Sequence, residues 1–375
     1  MNALDPLSPQ MLTQAKWAFS TRRVPHEDAV FLSDDLKRVQ SGDLVLGRVE
    51  RIGSHKRIQL AKGRASQLYV GDIVVLACGA RYAPDQFEGL AELDPTGADM
   101  LAGGGVLGRL RDSHARMSSP TRIVPLGLLA DASGAVINVD SYALPKAKRP
   151  RGLTVIGVVG ASMNSGKTTA VASLAHGLSR AGHRVAAIKA TGTGAFGDFN
   201  AYVDAGSGWV ADFTDAGMVS TYRQPLERIE EGLDTLLAHA AANGCEVAVV
   251  ELADGVFQTE TASLLQNPRV RDGFAGVVFA APDALAAAGG CTVLRSMGVE
   301  PAVVTGMVSC SPLGAAEAEA ATQVRVATRA ALCDPAQANA LLAQMTGEIG
   351  AQDAAPELDA AALTDDDFAA VEAAA

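Results

Sequence analysis

The chain has 375 residues, of which 48% are hydrophobic and 19% charged, enough for two domains that each bury a core. A formal net charge of −11 excludes a general nucleic-acid binder, which needs a basic face to displace counterions. Nine acidic residues lie from Asp334 onward, where no Lys or Arg occurs, so the remaining body is nearly neutral.

Cys78, Cys245, Cys291, Cys310 and Cys333 are scattered, with no Cys-x-x-Cys pair. That excludes the common cysteine metal spacings and points to reduced thiols, with Cys78 and Cys245 expected in buried strands. Met1 to Arg23 lacks the apolar core of a signal peptide, and no charge-free apolar run reaches membrane-spanning length. A cytoplasmic location with no membrane partner is expected.

Residues 1–40 read as a polar N-terminal extension, with a short helix between Pro9 and Phe19. From 41 to 145 the pattern becomes short β-like runs at 42–53, 57–61, 71–79, 121–130 and 135–144. The Gly-Asp pairs at 42 and 71 mark turns into strands, and Asp131-Ala132-Ser133-Gly134 marks a hairpin turn. This half is expected to be a small β-rich, barrel-like domain. Its loop at 79–89 gathers Arg81, Tyr82, Asp85, Gln86 and Glu88, while His55 and His114 read as loop surface. The basic run Pro145–Arg151 places a linker at 146–152.

Residues 153–333 alternate strand and helix. Strands are expected at 153–159, 184–190, 246–252, 275–281 and 301–306, and helices at 166–181, 223–243, 283–297 and 313–330. In the second of these helices, Leu226, Ile229, Leu233, Leu236 and Leu237 recur at helical spacing. Such βα units imply an α/β, doubly wound, mostly parallel sheet. The tail 334–375 is Ala-rich and acidic, with a helix expected at 336–345 and the composition of a disordered segment at its end.

Between the first strand and helix runs Gly160-Ala161-Ser162-Met163-Asn164-Ser165-Gly166-Lys167-Thr168-Thr169. Counted from Gly160, the spacing to Gly166 is one residue too long for a phosphate-binding loop. Counted from Ala161, four residues precede Gly166-Lys167-Thr168 and the pattern fits, since its first position needs only a small side chain. Successive backbone N–H groups from Ala161 through Thr169 and the positive helix end form an anion site, with Asn164, Ser165 and Gly166 in the turn. Lys167 is expected on the β- and γ-phosphates and the Thr168 hydroxyl on Mg²⁺. A Mg²⁺ nucleotide site also needs a carboxylate at a neighbouring strand tip. Glu251 ends Val247-Ala248-Val249-Val250 and is the first choice, with Asp254 second. Lys189, at the end of the second strand, faces the ligand crevice and is a cation for substrate or transferred phosphate. Of Asp198, Asp204, Asp212 and Asp215, Asp212 is the first choice to complete the metal site.

The set Gly166-Lys167-Thr168-Thr169, Lys189-Ala190-Thr191-Gly192 and Val250-Glu251-Leu252-Ala253-Asp254-Gly255 resembles the dethiobiotin-synthetase-like branch of P-loop NTPases, the SIMIBI class. That resemblance implies that Lys189 contacts substrate and Glu251 binds Mg²⁺. Ala190-Thr191-Gly192-Thr193-Gly194 and Val210-Ala211-Asp212-Phe213-Thr214-Asp215-Ala216-Gly217 resemble a sibling P-loop family whose members include D-glutamate N-acetyltransferases. The loop and helix alone are similar to the molybdopterin-guanine dinucleotide adaptor family. The resemblance covers about 153–330 and departs at Ser162-Met163-Asn164-Ser165, where dethiobiotin synthetases carry a Thr-rich loop.

The leading expectation is an enzyme using ATP and Mg²⁺ to phosphorylate or activate a small molecule carrying a carboxylate or amine, with Lys167, Lys189 and Glu251 as its working side chains. One alternative is an acyltransferase holding the phosphates of an acyl-CoA on the loop. The other is a nucleotide-switched adaptor or metallochaperone, disfavoured by the lack of an Asn-Lys-x-Asp stretch. A small-molecule substrate is the expected partner, with a homodimer left open.

Overall fold

The computed structural model describes residues 4–347. The end of the acidic tail, and the disorder expected there, lie outside the described residues.

Five strands of the first half close on themselves: β1 (Leu44–Arg51), β2 (Ile73–Cys78), β3 (Ala98–Ala102), β4 (Val106–Ser113) and β5 (Thr121–Ala130). β1 pairs antiparallel with β2 and β5, β2 pairs parallel with β4, and β3 pairs antiparallel with both β4 and β5. The circuit has no free edge among its members, which is how a small β domain avoids exposing unpaired backbone. Alternate side chains fill it: Val45, Val74, Leu76, Met100, Leu107 and Ile123 form one cluster. Parts of the segment before β1 are woven into the same sheet, because Phe31–Ser33 pairs with both β5 and Leu4–Pro6. Gly42 and Gly71 adopt φ of 98° and 92°, the left-handed turns that the Gly-Asp pairs marked.

The second half is a parallel six-stranded sheet. In chain order its elements are β6 (Thr154–Gly160), α1 (Lys167–Arg180), β7 (Val185–Lys189), α2 (Phe196–Asp204), β8 (Trp209–Asp212), α3 (Leu226–Ala242) and β9 (Val247–Glu251), followed by α4 (Thr259–Gln266), β10 (Gly276–Ala280), α5 (Ala284–Ser296), β11 (Pro301–Thr305), α6 (Pro312–Thr322) and α7 (Pro335–Thr346). The strand order is β8-β7-β9-β6-β10-β11. Near-continuous apolar strands suit a sheet covered on both faces. Val171, Leu174, Leu178, Leu341 and Leu342 cover one face, and Leu233, Leu236, Leu237, Leu264 and Leu294 the other. No described helix is long and apolar enough to cross a membrane.

Three expectations change. The helix expected from Pro9 to Phe19 stops at Gln14, because Lys16 and Trp17 pair with β2 instead. The run 135–144 is not a strand: the Asn138 side chain accepts from Asp140 N and donates to Asp43 at 2.8 Å, turning the chain into a 3-10 helix at Val139–Tyr142. The helix expected at 313–330 ends at Thr322. Gln323 takes φ 59°, and the β-branched run after it lies along β11, with Val304 N–H donating to the Arg325 carbonyl. α2 and β8, and the barrel strands β3 and β4, were not anticipated.

Candidate functional site

β6 delivers the loop to the C-terminal end of the sheet, where ligands of open α/β sheets bind. Asn164 and Gly166 take φ of 61° and 99°, so the backbone curls around a concavity lined by N–H groups and capped by the start of α1. Three surroundings brace the loop. A Cβ on Gly255 would lie 2.7 Å from the Ala161 carbonyl, and one on Gly306 would lie 2.2 Å from the Ser165 carbonyl. Val256 N–H bonds the Gly160 carbonyl at 3.0 Å.

Inside the concavity, Lys167 is buried and its ammonium donates to the Ser162 carbonyl at 2.7 Å. Burial lowers its pKa, against the pull of Glu251 and Asp254. The Ser165 hydroxyl is buried with no hydrogen-bond partner among the described residues, an unmet polar group inside the loop. These donors fit a bound phosphate group.

β6, β9 and β7 lie side by side, with Val158 opposite Glu251 and Lys189 also opposite Glu251. The Thr168 hydroxyl is 3.1 Å from Glu251 Oε2 and 2.9 Å from Asp198 Oδ1. Lys189 donates to Asp198 and sits 3.7 Å from Glu251, while the Tyr202 hydroxyl donates to Glu251. Burial alone would lower the Lys189 pKa, but Asp198 and Glu251 outweigh it and raise it. Burial likewise pushes Asp198 up, and Lys189 reverses that and holds it below the usual carboxylate range. Burial and Glu251 keep the Tyr202 phenol protonated.

Thr168, Glu251 and Asp198 offer only hard oxygen donors, the chemistry Mg²⁺ prefers. No group of three or more His, Cys, Asp or Glu among the described residues could hold a metal. A hydroxyl and two carboxylates fit an ion whose remaining ligands are water and phosphate oxygens.

Asp212, the first choice from sequence, is not brought to this centre. It ends β8, two strands from β9, where its Oδ1 accepts from Arg22 at 2.8 Å and from Thr214 N–H at 2.7 Å. Asp198, from the unanticipated α2, stands beside Thr168 instead. Asp254 makes no hydrogen bond or ion pair among the described residues; burial raises its pKa against Lys167 and Lys189.

The loop at 79–89 does face this crevice. It forms a hairpin, Arg81–Tyr82 with Phe87–Leu90, and Asp85 accepts from the Asn164 side chain at 2.8 Å. Tyr82 and Tyr222 rings are 5.5 Å apart, and the Tyr222 hydroxyl donates to Glu88 at 2.8 Å. Burial lowers the Arg81 pKa to about 10, against Asp85 and Asp254. Beside this contact lies a cavity of about 220 Å³ lined by Ala80, Leu90, Glu92, Tyr222, Arg223 and Gln224 among others. His55 lies in a loop as expected but is half-buried: its Nδ1 lies 3.1 Å from the Met100 carbonyl, and burial lowers its pKa to about 4.

No family model and no curated protein matches the chain. Among solved structures it is similar to the signal recognition particle 54 kDa protein from Aeropyrum pernix K1 in complex with GDP, at 20% identity and TM-score 0.35, over 55% of this chain and 48% of that one. It is also similar to the signal recognition particle receptor FtsY from Elizabethkingia anophelis, at 16% identity and TM-score 0.34, over 51% of this chain and 67% of that one. The chain thus spans about half the length of the first of these. At such TM-scores the phosphate-loop assignment stands on the chain's own residues.

Proposed function

We propose that the chain is a Mg²⁺-dependent, ATP-binding enzyme that transfers a phosphoryl group to, or activates, a small molecule carrying a carboxylate or amine. The observation that carries this reading is the convergence of Thr168, Asp198, Lys189 and Glu251 directly behind Lys167. A loop that only held a phosphate as an anchor would need Lys167 and the helix end. Two carboxylates and a second, largely covered lysine at the same point suit a reacting triphosphate.

In this reading the loop N–H groups and Lys167 bind the β- and γ-phosphates, and Lys189 balances charge that builds on the transferred group. Thr168, Glu251 and Asp198 would hold Mg²⁺, which when bound supplies charge neutralisation for the phosphate oxygens. Lys167 and Lys189 must exchange partners on binding, from the Ser162 carbonyl and Asp198 to phosphate. The hairpin carrying Arg81 and Asp85 walls the crevice on the acceptor side, and the adjoining cavity gives the acceptor room.

A thermal-shift panel of ATP, GTP and acetyl-CoA, each with and without Mg²⁺, tests the reading, because a ligand that binds only the folded state raises its melting temperature. The expected result is a shift with ATP that grows with Mg²⁺. A shift with acetyl-CoA alone would transfer the loop to acyl-group chemistry.

A further inference from the structure

α2 carries two side chains of the centre four residues apart, Asp198 on Thr168 and Lys189, and Tyr202 on Glu251. That spacing puts both on one face of the helix. Neither belongs to the sheet itself, so their positions depend on what fixes α2. Much of the grip comes from outside the parallel-sheet domain.

At its first turn, Phe196 N–H donates to the Gln59 side chain of the barrel domain at 2.7 Å, satisfying one of the helix's orphan donors. Phe19, from the N-terminal arm, packs against Phe199 at 5.7 Å and Phe196 at 6.4 Å between ring centroids. The Arg22 guanidinium then lies over both Phe19, at 4.2 Å, and Phe199, at 5.2 Å. Its Nη2 donates to Asp212 at 2.8 Å and to Asp215 at 2.6 Å, with the side chain only 11% exposed. Arg23 adds a second tie to Asp215 at 3.4 Å and bonds the Tyr142 carbonyl. The same cation thus pins the end of β8 and covers α2 one residue beyond Asp198. A planar guanidinium does both at once; an ammonium does not.

We propose that Arg22 is a positioning residue and that the N-terminal arm and barrel act as a strap, holding α2 so that Asp198 and Tyr202 meet Thr168 and Glu251. The barrel domain's part in the chemistry is then to set the metal-side geometry of a site it does not itself contain. Outer partners of metal-holding groups typically cost 10–100-fold in metal affinity or activity when removed. The inference rests on the nucleotide-and-Mg²⁺ reading for its consequence, and on the packing alone for its mechanism.

The test compares the full chain with Arg22→Ala, Arg22→Lys and Gln59→Ala. Calorimetry measures ATP binding in EDTA and then across a Mg²⁺ titration, while hydrogen exchange tracks the amides of α2 and α1. Arg22→Ala is expected to leave ATP affinity in EDTA unchanged, to weaken the apparent Mg²⁺ affinity about tenfold or more, and to speed exchange in α2 while α1 stays protected. Arg22→Lys should recover only part of this, and Gln59→Ala should shift the same readouts less far. Removing Arg22 strands two buried carboxylates, so if that variant does not fold, Gln59→Ala decides. Wild-type Mg²⁺ affinity and wild-type α2 exchange in the variants would overturn the proposal, as would an equal loss of ATP affinity in EDTA. Should the wild-type chain bind no nucleotide, the nucleotide reading fails, and α2 exchange still judges the strap.

Discussion

Thr168 is the point where the centre's elements meet, because its hydroxyl lies within hydrogen-bond distance of both Asp198 and Glu251. Glu251→Gln keeps the size and the Tyr202 contact but removes the charge. It should reduce Mg²⁺-dependent turnover by more than the about 10–100-fold that losing an outer partner of a metal ligand costs while ATP affinity in EDTA changes little, as steady-state kinetics and calorimetry would show. Asp254 has the opposite character. Burial raises its folded-state pKa above the ordinary 3.8, so ionised Asp254 costs stability. That cost grows as pH rises from the unfolded value and is complete above the folded one. Asp254→Asn should therefore melt at a higher temperature than wild type at neutral pH without nucleotide. The difference should shrink to nothing below about pH 3.8.

At the scale of elements, β6, its loop and α1 were legible because the apolar run, the small-residue turn and the helix start each arise from local chemistry. The place of Glu251 at a strand end was legible for a similar reason, as the first charge after a buried run. Which of Asp198 and Asp212 stands beside Thr168 was not. It depends on Phe196–Asp204 being a helix and Trp209–Asp212 a strand, and those short, mixed stretches have no decisive period. The one available signal was the four-residue spacing of Asp198 and Tyr202, which has meaning only once the helix is assumed. Closure of the barrel was equally hidden, since it joins Ala98–Met100 to Thr121–Ile123 and Val106–Leu107 to Ala77–Cys78, pairings between segments apart in sequence. In the turn after β11, Gly306 has φ 93°, and a Cβ there would meet the Ser165 carbonyl at 2.2 Å. Gly306→Ala should therefore lower the melting temperature and weaken ATP binding together, since the loop must shift to make room.

Across the whole molecule, the barrel half and the parallel-sheet half meet along a crevice. Arg22 with Asp212 and Asp215, Asn164 with Asp85, and Tyr222 with Glu88 all cross it. The phosphate loop supplies the anion site, the neighbouring strands supply the charge that would work on it, and the barrel side supplies the wall and the strap. The central claim is that this loop binds a nucleoside triphosphate through Lys167. Isothermal calorimetry of ATP with Mg²⁺ into the wild-type chain and Lys167→Ala tests it most directly. Saturable one-site binding by wild type, lost in a variant that keeps the wild-type circular-dichroism spectrum, is the result predicted. Equal binding by both proteins, or by neither, would contradict it.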